Sequence, residues 1–70
     1  MRGMTQVEIY KKFLGKRVDV GTPYIGDPNR MFFYMGKLLE VNEEYILLET
    51  KTDIRRIELY DVIRFKALED

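Results

Sequence analysis

Hydrophobic and polar positions in this chain fall first at helical spacing and then, for most of its length, at a spacing of two. Val7, Tyr10 and Leu14, with Phe13 beside them, form an i, i+3, i+7 stripe on one face. In front of that stripe, Thr5-Gln6-Val7-Glu8 reads as a capping box, in which Thr5 accepts from the amide of Glu8 and Glu8 reaches back to the amide of Thr5. Met4 and Ile9 sit where a hydrophobic staple puts them, and Gly15 supplies a left-handed stop. The pattern predicts a helix over residues 5–14. A helix this short does not persist alone in water, so it must dock on something apolar.

From Lys16 the alternation has the period of a strand. The predicted strands cover residues 16–20, 31–41, 45–51, 54–59 and 62–67. Residues 21–30 hold both prolines and two of the glycines and read as a loop, with Asp27-Pro28-Asn29 suited to a type I turn. Gly36 interrupts the long second strand, where a glycine commonly marks a sharp bend or a close backbone approach. Asn42-Glu43-Glu44 makes a tight hairpin, Thr52-Asp53 a turn, and Tyr60-Asp61 a short break. The expectation is a mostly β fold, an N-terminal α-helix followed by a five-stranded, strongly bent antiparallel barrel. Residues 1–70 form a single domain, with no repeat, linker or low-complexity stretch.

Such a barrel tends to leave edges, and an unpaired edge is a template for another chain. The last two strands read as poorly defended. Val62, Ile63 and Phe65 carry no proline among them, and Ile54, Ile57 and Leu59 flank Arg55 and Arg56. If the fourth strand of one copy pairs with the fifth of the next, the contact is head-to-tail and closes into a ring when the rotation allows. The other reading pairs both strands within one monomer and uses the arginines to keep the edge apart from other chains.

Composition strengthens the assembly reading. A chain of 70 residues buries only about 60% of its unfolded surface, and a core of that size rarely supplies more than ~3–5 kcal/mol without a staple or a partner. With no cysteine and no histidine, disulfides, thiolate zinc sites and histidine-based nucleophilic dyads are excluded. Lys and Arg number 12 against 12 Asp and Glu, so bulk charge does not favour a dedicated duplex binder. The longest apolar run, Met31-Phe32-Phe33-Tyr34-Met35, is far below the roughly 20 residues a bilayer requires, and the first residues lack a signal-peptide pattern. Together these predict a cytoplasmic protein that is not an enzyme, with no cofactor and no metal, acting through binding.

The helix–five-strand order, the bent second strand and the run Gly36-Lys37-Leu38-Leu39-Glu40-Val41-Asn42 followed by Tyr45-Ile46-Leu47-Leu48 resemble the first motif of the Sm/LSm/Hfq superfamily. Ile57-Glu58-Leu59-Tyr60-Asp61-Val62-Ile63 occupies the place of the second motif, in a form similar to bacterial and phage Sm-like barrels. The resemblance covers residues 5 to 67. It implies an SH3-like, Sm-like small barrel assembled into a homo-oligomeric ring through the fourth and fifth strands, with single-stranded RNA held by two loops at the pore. By position, Asn42 takes the place of the residue that orients the binding loop, Glu44 the base-stacking place and Ile46 the uracil-reading place. Glu58 and Leu59 take the places of an arginine and a glycine, followed by Tyr60. These departures remove groups that stack on or hydrogen-bond to bases and add acids that repel phosphate. RNA binding with weak or altered base selectivity is therefore expected, and the alternative is a protein–protein adaptor or structural oligomer with no nucleic-acid role.

Each candidate residue carries two readings. Lys11, Lys12, Lys16 and Arg17 form either a basic collar for an RNA backbone or cations that complement the negative end of the helix. Tyr45 and Tyr60, beside the two loops, either stack on bases or pack in the core or an interface. Arg55 and Arg56 contact nucleic acid, pair with acids such as Glu58 or Asp61 across subunits, or protect an edge. Tyr24, between the prolines, is either a partner's anchor or part of a tolerated insertion. Carboxylate pairs such as Glu43-Glu44 sit in a turn and read as solvated charge.

Overall fold

The computed structural model describes residues 5–68. Helix α1 spans Gln6–Lys11 and opens with the expected capping box. The Glu8 amide donates to Thr5 Oγ1 at 3.2 Å, and Glu8 Oε1 accepts from the Thr5 amide at 3.0 Å. The Met4 half of the staple lies outside the described residues. The helix ends earlier than its apolar stripe suggests, because the amides of Lys12, Phe13 and Leu14 bond three residues back and tighten the last turn. Leu14 is consequently exposed, whereas Tyr10 is buried and Val7 and Phe13 pack against the core. Gly15 turns the chain with φ +83°, and its amide donates to the Leu38 carbonyl at 2.8 Å, which fastens the helix end to the sheet.

The strands are β1 (Arg17–Pro23), β2 (Met31–Val41), β3 (Tyr45–Glu49), β4 (Ile54–Glu58) and β5 (Arg64–Ala67), with a 3₁₀ turn, η1, over Leu59–Asp61 between the last two. β1 runs three residues beyond its expected end. Gly21, Thr22 and Pro23 pair with Phe33, Phe32 and Met31, so the expected loop shrinks to residues 24–30. Gly21 also lets β5 approach at this point, because a Cβ there would lie 3.0 Å from Arg64 Cβ. Within the loop the type I turn forms as expected, with the Arg30 amide donating to the Asp27 carbonyl at 3.2 Å.

β2 serves two partners, β1 along 31–37 and β3 along 37–41. The passage between them needs Gly36. A Cβ there would lie 2.4 Å from the Glu49 carbonyl oxygen, closer than such atoms approach. A register shift between Leu38 and Glu40 adds a bulge at Leu39 and turns the strand further. β3 stops at Glu49, short of its expected end at 51, because Thr50 and Asp53 close a two-residue turn. The Thr50 amide donates to the Asp53 carbonyl and its hydroxyl to Asp53 Oδ1, both at 2.8 Å.

All strand pairs are antiparallel, in the order β4-β3-β2-β1-β5. The mostly β character, the helix-first order and the bend match expectation. Closure does not: the sheet stays open, with β4 and β5 at opposite margins, because each hydrogen-bonds to one neighbour only. The core lies on the sheet's concave side. Val18, Val20, Leu38, Ile46 and Leu48 are fully buried, and Tyr10, Val41, Ile57 and Val62 surround them. Each fully buried aliphatic contributes about 1.5–3 kcal/mol relative to exposure. Among the described residues no helix is long and apolar enough to cross a membrane.

Candidate functional site

The two loops that the motifs single out, residues 42–44 and η1, lie side by side. Asn42 builds the first. Its Oδ1 accepts from the amides of Glu44 and Tyr45 at 2.8 and 2.9 Å, which fixes the turn without help from a ligand. Its Nδ2 donates to Glu40 Oε2 at 3.1 Å, and the Tyr45 hydroxyl donates to the same oxygen at 3.1 Å. The loop-orienting place assigned to Asn42 thus corresponds to a hydrogen-bonding role in the fold itself. The Leu59 amide donates to the Glu44 carbonyl at 2.9 Å and joins η1 to this turn.

Around that joint the side chains are mostly acidic, from Glu40, Glu43, Glu44, Glu58 and Asp61. Arg56 is the nearby cation, and it is occupied. Its Nε donates to Glu58 Oε2 at 2.7 Å, and its guanidinium lies 4.0 Å from the Tyr45 ring centroid. The hydrogen bond from Arg56 holds the Glu58 carboxyl below its ordinary pKa against a smaller opposing effect of desolvation, and it raises the Arg56 pKa in turn. One face of Tyr45 is therefore covered. Tyr60 is 81% exposed on η1 and presents an open ring. Ile46, in the uracil-reading place, is fully buried and faces the core.

The basic residues do not join this pair of loops. Lys11, Lys12, Lys16 and Arg17 are exposed at the helix end and the start of β1. The Lys16 carbonyl accepts from Leu38 and the Arg17 carbonyl from Leu68, so this segment is sewn between β2 and β5, with Lys37 directly across from Arg17.

The interface candidates divide by face. Ile57 and Val62 are buried in the core, and Leu59 and Phe65 pack against it. Phe65 stacks on Tyr10 with ring centroids 4.0 Å apart. Ile54 and Ile63, at the two margins, are 59% and 55% exposed. Arg55 pairs with Asp53 at 3.5 Å, so both β4 arginines find acids within the chain.

One grouping escaped the sequence reading. Arg30 lies over Tyr24 (4.6 Å), Tyr24 stacks on Phe32 (4.6 Å), Phe32 meets Tyr34 (6.3 Å), and Arg55 lies over Tyr34 (5.7 Å). The ladder runs from the 24–30 loop across the concave side to β4. Four of its members fall between residues 24 and 34, and Arg55 on β4 joins them only through the fold. Among the described residues no cluster of acidic side chains has the arrangement of a metal site. No family model, curated protein or solved structure matches the chain.

Proposed function

We propose that this chain is a self-assembling binding module of Sm-like type, whose copies join β4 to β5 and close into a ring. The observation that carries this reading is the sheet order, which leaves those two strands as opposite margins of one open sheet. A margin strand presents unpaired amides and carbonyls, and pairing it with the other margin of an identical chain satisfies both at once. The resemblance of residues 36–48 and 57–63 to the Sm motifs points to the same strands. The barrel closure that one chain lacks would then be supplied by the assembly.

The ring's proposed ligand is single-stranded RNA, held without strong base selectivity. Tyr60 offers a stacking face at the joined loops, and the basic segment from Lys11 to Arg17 offers contacts to a backbone. The second reading, a structural or adaptor oligomer with no nucleic-acid role, is favoured by the acids around the loops and by the internal pairing of Arg56. Neither reading includes catalysis.

Native mass spectrometry of the purified protein, before and after nuclease treatment, tests both parts. A ring is expected at micromolar concentration, and a monomer there refutes the assembly. Co-purifying RNA, or binding to a labelled oligonucleotide panel at low salt, is expected for the first ligand reading. Silence across the panel leaves the adaptor oligomer.

A further inference from the structure

On the side of the sheet away from the core, β1, the first half of β2 and β5 present side chains of which the proposed function uses only Arg17. Val18 and Val20 are fully buried, so Arg17, Asp19 and Gly21 turn to the opposite, outer face. Cross-strand partners share a face, which adds Lys37, Met35 and Phe33 from β2, and Lys66 and Arg64 from β5. The sheet curls around its core, so this outer face is convex.

Apolar and cationic groups are interleaved there. Phe33 and Met35 are both more than half exposed. Arg17, Lys37, Arg64 and Lys66 are exposed around them, and none of these cations forms an ion pair with a described residue. Asp19 is the one acid among these positions. Gly21 has no side chain to separate its two neighbours, so Arg64 reaches across β1 and lies 5.7 Å from the centroid of the Phe33 ring. Towards the bend the face runs into an open groove, where Glu49 and Lys51 offset each other beside Lys37. The remaining acids stand elsewhere: Glu40, Glu43, Glu44, Glu58 and Asp61 surround the joined loops, past the Gly36 bend. A chain of zero formal net charge is thus divided into a cationic face and an acidic end.

We propose that this face docks on an anionic lipid surface, with Arg17, Lys37, Arg64 and Lys66 among the phosphates and Phe33 and Met35 entering the apolar layer beneath. Charge complementarity selects a polyanion, and the exposed apolar centre selects lipid over nucleic acid. A phosphate backbone would engage the cations and leave Met35 idle, and the Phe33 ring already carries Arg64 on one side. A convex face meets a rigid partner over little area, whereas a fluid interface moulds to it. Lysine and arginine keep their charges at the headgroups along flexible stems while neighbouring apolar side chains go deeper. The contact lies on the membrane and not across it, and it needs neither the ring nor RNA.

Co-sedimentation of the full chain with vesicles tests the docking. Binding is expected to phosphatidylcholine vesicles carrying about a third phosphatidylserine, not to phosphatidylcholine alone, and it should weaken as salt rises. Lys37→Gln combined with Lys66→Gln should lower partitioning about 25-fold, roughly fivefold for each cation. Both side chains are exposed, so the circular dichroism spectrum should stay that of wild type. The chain has no tryptophan, so Phe33→Trp places a lone reporter on the face and Tyr60→Trp places one at the acidic loops. Brominated acyl chains are expected to quench the first and not the second.

No partitioning into anionic vesicles, equal partitioning into neutral ones, an undiminished double variant or quenching confined to Tyr60→Trp overturns the docking. So does a labelled oligouridylate that binds through Lys37 and Lys66 while vesicles do not, which would give the face to nucleic acid.

Discussion

The joined loops and the sheet margins are both candidate binding regions, and they differ in what remains unpaired after folding. At the loops, Asn42 takes two backbone amides, Glu40 takes Asn42 and Tyr45, and Glu58 takes Arg56. At the margins, alternate amides and carbonyls of β4 and β5 point away from the sheet. Internal pairing makes the loops rigid and leaves little for a ligand beyond the Tyr60 ring. Open backbone makes the margins ready for a strand of any sequence that fits their faces. The contrast explains why the assembly half of the proposed function has a stronger physical basis than the RNA half.

Gly36→Val strikes both regions and should have the largest effect. The added Cβ has no room against the Glu49 carbonyl, so the bend must open, at a cost of about 3 kcal/mol or more in thermal or urea denaturation. A stability within error of wild type would show that the bend does not depend on the close approach. Asn42→Ala should touch the loops alone, lowering stability by about 1–2 kcal/mol and speeding hydrogen exchange at the Glu44 and Tyr45 amides. Its assembled mass should match wild type; a change of mass would join what the comparison separates.

Ile54→Glu should do the reverse. Its side chain is mostly exposed, so folding stability should move by less than about 0.5 kcal/mol while the assembled mass falls. Unchanged mass would remove the β4 margin from the joint. The smallest effect concerns neither region. Hydrogen bonding from the Thr5 backbone, then from its hydroxyl, holds Glu8 below its ordinary pKa. Its stabilisation of the helix start is therefore fully present above that ordinary value and is lost as pH falls through the lowered one. Thr5→Ala keeps the backbone amide and removes the hydroxyl, so it should weaken this acid-side dependence in a melting series, and an unchanged series would assign the hydroxyl's capping bonds no role.

Local chemistry was legible in the sequence. The capping box needs only Thr5 and Glu8, the 27–30 turn needs only Asp27 and Pro28, and the bend needs only a glycine within a long strand. What required tertiary structure was hidden. Gly21 and Pro23 read as loop residues, yet pairing with Phe33 and Met31 carries them into β1. The stripe through Leu14 ran past the helix because hydrogen bonds three residues back closed its last turn. Closure was expected from strand count, but whether the margins meet depends on curvature, which no short stretch encodes. In the candidate site, Asn42 and its turn were visible from the motif. The stack of Arg56 on Tyr45 depends on the β3–β4 register and was not.

The ladder from Arg30 through Tyr24, Phe32 and Tyr34 to Arg55 bears on a different property of the molecule. A connecting segment usually samples many shapes, and any encounter must first select one. Here Tyr24 stacks on Phe32 and Arg30 lies over Tyr24, so both ends of the 24–30 segment are tied to β2 before anything arrives. A visitor to that surface would find it already arranged, and recognition there would carry little ordering entropy.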